Sequence, residues 1–260
     1  MVLLWICFSL FLLYFVGYET LWGLTGYKKY IAAIEAGKHE KVKMYIRLML
    51  GLWIPSGLVL ILLFTDRLTL IDLGLSRFKP YGLTWLFYSS VVLAILYFLY
   101  LAYSLVVLRL NAIKKVSIKQ ELPDKIKVLL PITKKEKKVW ALTALTAGIT
   151  EELLFRGFLF FLMTALFPGL NIFIILGIST LIFGIGHLYQ GPAEAVKPMI
   201  LGLLYGLFFI SFGTIIPCII LHTMQDLCAV DLINESADYA GVSTSDGASV
   251  NKITLEPKSK

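Results

Sequence analysis

An all-α, polytopic membrane bundle of about seven transmembrane helices is the fold class this sequence predicts, and three observations carry it. Of the 260 residues, 58% are hydrophobic and only 16% charged, where soluble domains hold roughly 25% charged residues; mean hydropathy is +0.81. Uncharged stretches recur at the ~20-residue length with which an α-helix crosses ~30 Å of hydrocarbon. Outside the spans, Lys and Arg divide 20 against 3 between alternate connections, as cytoplasmic loops require. The same composition excludes a disordered chain. Cys7, Cys218 and Cys228 are too few for a disulfide scaffold and lie in apolar stretches, where they read as packing residues. The net charge of +7 is accounted for by the loops, so a lipid bilayer is the expected partner and nucleic acid is not.

In order, the first spans are Val2 to Leu24, interrupted only by Glu19, then Leu48 to Phe64 and Leu83 to Leu108. The first lacks a basic leader and a small-residue cleavage motif, so it is expected to be a retained anchor. Between the first two spans, Tyr27 to Arg47 mixes lysines with apolar residues; it reads as a solvated cytoplasmic loop, with an interfacial helix as the other reading. Val139 to Phe167 and Leu170 to Leu188 follow. The apolar run from Pro198 is too long for one helix; Ser211, Gly213 and Pro217 mark a turn in it, giving Pro198 to Phe212 and Thr214 to Leu232. The charge split then puts the N-terminus outside and the C-terminus in the cytoplasm. The chain divides into a three-span region with basic cytoplasmic loops (1–138), a core of four spans (139–233) and a flexible polar cytoplasmic tail (234–260).

Ionisable groups within spans cost at least ~2.5 to 3.5 kcal/mol each and so mark cavities or partners. Besides Asp231 at the end of the last span, six fall in the last four spans: Glu151, Glu152, Arg156, His187, His222 and Asp226. Helical spacing puts Glu152 and Arg156, four apart, on one face as an ion pair, and leaves Glu151 about 100° around the helix. Phe183 and His187, and His222 and Asp226, are likewise four apart, and each pair lines one stripe; Phe183 taken alone reads as core. At ~1.5 Å per residue all four of Glu151, His187, His222 and Asp226 reach depths that meet in a cavity open to the cytoplasm.

One free Glu, two His and one Asp are the groups that activate water against an amide carbonyl. A carboxylate in low dielectric gains basicity, which suits a general base. One His shares that role or holds the water; the other His and the Asp bind the developing oxyanion or the leaving amine. Alternatively Glu151, His187, His222 and Asp226 ligate Zn²⁺ through N and O donors. The residues alone leave both open. A proton-coupled transporter would also place carboxylates here, but it expects inverted repeats, and none is evident.

Taken in order, EELLFR from Glu151 to Arg156, FGIGH from Phe183 to His187 and HTMQD from His222 to Asp226 resemble the EExxxR, FxxxH and HxxxN/D patterns of intramembrane endopeptidases related to the type II CAAX prenyl protease, the CPBP or Abi family. The resemblance covers a little over a third of the chain. It implies an all-helical membrane endopeptidase, with a metal if Zn²⁺ is bound, acting on membrane-associated peptides or proteins, prenylated CAAX-type ends included. Carried over by position, it implies Glu151 as the base that activates water with His187, His222 and Asp226 on the oxyanion side, and Glu152 and Arg156 in support. Eukaryotic prenyl proteases look to have Asn where this chain has Asp226, a departure that points to a bacterial cell membrane and weakens the CAAX analogy. The other reading is a non-catalytic, protease-like membrane protein acting in peptide-toxin immunity or as a scaffold.

Overall fold

A computed structural model of the chain describes residues 1–65, 67–78, 82, 84–230 and 232; the expected polar tail lies outside the described residues. Among these the fold is helical, with no strand. Helix α1 (Val2–Glu35) and α2 (Lys41–Leu62) form a hairpin, followed by α3 (Thr84–Leu110) and two short helices, α4 (Ala112–Glu121) and α5 (Asp124–Lys127). A continuous helix α6 covers 134–166 as Lys134–Glu151, a π-helical stretch Glu152–Phe158 and Leu159–Leu166. Then come α7 (Ile172–Gly186), α8 (Val196–Phe212) and α9 (Ile216–Leu227).

Among the described residues, four helical segments are long and apolar enough to cross a membrane: Val2–Glu35, Lys41–Leu62, Thr84–Leu110 and Ile172–Gln190. The other three expected spans fall short of that test for separate reasons. Helix α6 carries Lys134, Lys135, Lys137 and Lys138 and the site charges, α8 has 17 residues, and α9 has 12.

One expectation is corrected outright. Tyr27 to Arg47 is not a loop, because α1 runs on to Glu35 and α2 begins at Lys41. Lys, Ala, Ile and Glu from Tyr27 to Glu35 are helix-compatible and include no Pro. Gly37, with φ of +77°, ends the helix in the left-handed conformation that brings the Lys38 N–H back to the Ala33 carbonyl at 2.9 Å. Helix α6 starts as sharply, on a capping box: Thr133 Oγ1 accepts from the Glu136 N–H at 3.1 Å while Glu136 Oε2 accepts from the Thr133 N–H at 3.2 Å. The turn expected around Gly213 is present, with φ of +67° ending α8.

Without water to drive apolar surfaces together, membrane helices associate through close packing and interhelical hydrogen bonds, and both devices hold the site region. Helix α6 meets α9 at Gly148, where a Cβ would stand 2.1 Å from Thr223 Oγ1. Aromatic rings from three helices interlock edge to face: Phe15 with Phe155 at 5.0 Å and Phe155 with Phe183 at 5.1 Å. In α2, Pro55 has no N–H to give the carbonyl four residues back. That carbonyl, of Gly51, instead lies 2.8 Å from the Tyr14 hydroxyl of α1, which is also 2.8 Å from Glu19 Oε1. At the other end of α6, Leu73 packs onto Gly157, and the Gly74 carbonyl accepts from the Ile215 N–H at 3.0 Å. The connection after α2 thereby ties α6 to α9 away from the site.

Candidate active site

The two adjacent glutamates of α6 face different surroundings. Glu152 is sealed, at 0% side-chain exposure, and its Oε1 accepts from Arg156 Nη1 at 3.0 Å. Arg156 also donates from Nη2 to the Gly202 carbonyl of α8 at 3.0 Å, and its guanidinium lies 4.8 Å from the Phe183 ring centre. A buried guanidinium needs this number of acceptors and a ring face to compensate lost hydration. The π-helical stretch opens at Glu152; such stretches interrupt α-helices mostly at functional sites.

Glu152 Oε1 holds a further partner that helical spacing does not reveal, His222 Nδ1 of α9 at 2.7 Å. With Nδ1–H donated there, the imidazole is fixed in orientation and its Nε2 turns to the other side. That nitrogen stands 3.7 Å from Glu151 Oε2 and 3.7 Å from Asp226 Oδ2. Both separations exceed a direct hydrogen bond and suit an intervening water or substrate group. Glu151 and Asp226 keep 14% and 30% of their side chains open, in contrast to Glu152. Asp226 is anchored through its backbone, whose carbonyl accepts from Trp140 Nε1 at 3.0 Å.

His187 caps the end of α7. Its Nδ1 lies 2.8 Å from the Phe183 carbonyl, an acceptor, so Nδ1 carries the proton and Nε2 presents a lone pair. Phe183 is both core and site, being 4% exposed while stacking on Arg156 and holding His187.

Glu151, His187, His222 and Asp226 all line one cavity of about 410 Å³. Tyr27, Met44 and Leu48 of the first hairpin form part of its wall, and Leu122, Ile126 and Leu129 of the α4–α5 region another part. A smaller cavity of about 80 Å³ joins Glu151 and His187 to an ion pair of the first hairpin. That pair, Arg47 with Glu19 at 3.1 Å, carries Trp22 with its ring centre 3.6 Å from the guanidinium. The sequence offers no sign of it, because 28 residues separate the partners. Tyr205 is a second residue without a sequence signal, stacked at 5.2 Å on the His222 ring.

The fold brings the four expected catalytic side chains to one cavity and adds the Arg156–Glu152–His222 chain behind them. Among the described residues, however, no three His, Cys, Asp or Glu side chains are gathered as a metal-binding group. The Nδ1 bonds of His187 to Phe183 and of His222 to Glu152 leave the Nε2 atoms of both rings, with Glu151 and Asp226, as the donors that would hold a Zn²⁺.

Residues 135–228 match the family model of type II CAAX prenyl endopeptidase Rce1-like proteins. Neither a curated protein nor a solved structure matches the chain. The matched stretch starts with α6 and ends just past α9, so it contains Glu151, Glu152, Arg156, His187, His222 and Asp226. This match supports assigning residues 135–228 to the Rce1-like, CPBP-type family.

Proposed function

We propose that the protein hydrolyses a peptide bond of a membrane-associated peptide or protein, with Glu151 and His187 activating water. The observation that carries this reading is the cavity shared by Glu151, His187, His222 and Asp226 with a His222 ring locked by Glu152 and Arg156. A pair of groups held open beside a pair held shut is what separates reacting residues from supporting ones.

In the proposed reaction Glu151 takes a proton from water that His187 Nε2 helps to hold, and the hydroxide adds to the scissile carbonyl carbon. The carbonyl electron pair moves onto oxygen, and the oxyanion lies on the His222 and Asp226 side. His222 Nε2, turned to that side while Nδ1 is paired with Glu152, donates to it when it carries a proton. The proton taken by Glu151 passes to the leaving nitrogen, the C–N bond breaks, and a carboxylic acid and an amine leave, the acid then giving its proton to the amine or to solvent. General-base catalysis contributes about 10²–10⁴-fold, and a single oxyanion donor about 10²–10³-fold.

The same reading has seven spans, the N-terminus outside and the C-terminus cytoplasmic, in a bacterial cell membrane. The 20-to-3 split of Lys and Arg supports this orientation. Substrates enter from the cytoplasmic half of the bilayer, prenylated CAAX-type ends being one candidate class, since much of the cavity wall is apolar. The test is cleavage of lipidated and single-span peptides by protein purified in detergent. Glu151→Ala and His187→Ala are each expected to lose activity by about two to four orders of magnitude. Equal cleavage by wild type and both variants would sink the assignment and leave a protease-like binding protein as the reading.

A further inference from the structure

The reaction above needs a donor for the oxyanion, and Asp226 is a carboxylate, which accepts hydrogen bonds and donates one only when protonated. Its neighbour Gln225 also lines the cavity. Two phenols converge on one end of the Gln225 amide: Tyr97 Oη at 2.6 Å and Tyr205 Oη at 2.9 Å. A separation of 2.6 Å is that of an O–H···O bond and short for N–H···O, which assigns the clamped atom as the carbonyl oxygen with both phenols donating. The amide N–H₂ is then the end that hydrogen-bonds the Asp226 carboxylate, which leaves its second N–H for the cavity. Tyr205 fixes the register, because its ring is stacked at 20° on His222 while its hydroxyl holds Gln225.

We propose that Gln225 is a further catalytic residue, its clamped amide N–H₂ donating to the substrate oxyanion alongside His222. The proposal rests on the hydrolytic reading of the site. It gives α3 a part in the chemistry, because Tyr97 lies outside the stretch that matches the family model. Tyr97 and Tyr205 are positioning residues that act through Gln225.

The experiment is steady-state cleavage of a fluorogenic lipidated peptide in detergent by wild type, Gln225→Glu, Tyr97→Phe and Glu151→Gln, with melting temperature measured for each. Gln225→Glu replaces the donor by an acceptor of equal size and is expected to lower kcat by about 10²–10³-fold with KM little changed. Tyr97→Phe removes one of two clamps and is expected to lower kcat by a smaller factor, again without moving KM. Full kcat in a Gln225→Glu protein that melts with wild type overturns the proposal, as does a loss confined to KM. If Gln225→Glu does not fold, Tyr97→Phe decides, and an unchanged kcat there overturns the proposal. Wild-type cleavage by Glu151→Gln overturns the hydrolytic reading itself and this proposal with it, a result distinct from Gln225 failing alone.

Discussion

Arg156 and Glu152 illustrate how one pair of residues serves both fold and site. Each is buried, and Glu152 Oε1 takes hydrogen bonds from two helices at once. Removing the charge of Glu152 leaves a guanidinium without its counter-ion in a sealed place, a change that costs about 3–5 kcal/mol for buried pairs. Glu152→Gln is therefore expected to lower the melting temperature in detergent and to abolish cleavage together. Glu151→Gln alters a carboxylate that keeps 14% exposure and no direct hydrogen bond; it is expected to melt with the wild type while losing cleavage. Equal melting of the two variants would remove the division of labour between the neighbouring glutamates. Spacing alone identified the Glu152–Arg156 pair because both residues lie on one helix. The Glu152–His222 bond escaped it because 70 residues separate the partners and only the packing of α6 on α9 brings them together.

At the scale of elements, the α6–α9 crossing sets the distance between the glutamates and His222. Gly148 is where the two helices touch, three residues before Glu151. Gly148→Leu is expected to push α9 away, lower the melting temperature and reduce cleavage by more than tenfold, because a 1 Å misplacement alone can cost about 10²-fold. Gly177→Ala in α7, where a Cβ meets nothing within 4 Å, is the matched control, expected to leave both measurements unchanged. Wild-type behaviour of Gly148→Leu would mean that this contact does not position the site. Helices were legible where periodicity and charge agreed: Gly213 and Pro217 located the α8–α9 turn from residue type alone. They were misread where charge was taken for solvation. Lys28, Lys29 and Lys41 belong to helices that extend beyond their apolar runs, and a 34-residue α1, about 50 Å long, outreaches a 30 Å hydrocarbon core. The π-helical stretch at Glu152–Phe158 has no composition that sets it apart from the α-helix on either side.

For the whole molecule, the four helices that match the family model are completed by parts outside them. The first hairpin and the α4–α5 connection wall the cavity, and the Glu19–Arg47 pair adjoins it, none of which a motif scan could propose. Orientation is the property of the whole that charge predicts. With the native cysteines replaced by Ser, Lys38→Cys between α1 and α2 is expected to react with an impermeant maleimide only from the cytoplasmic face. Thr65→Cys, just after α2, is expected to react only from outside; the opposite pattern would invert the topology. The central claim is that Glu151 activates water in this cavity, and its most direct measurement is the initial cleavage rate of wild type and Glu151→Gln. Both are reconstituted in liposomes with a lipidated peptide, and products are read by mass spectrometry. A rate at least about a hundredfold lower in the variant, at unchanged melting temperature, is the predicted result; cleavage at the wild-type rate would contradict it.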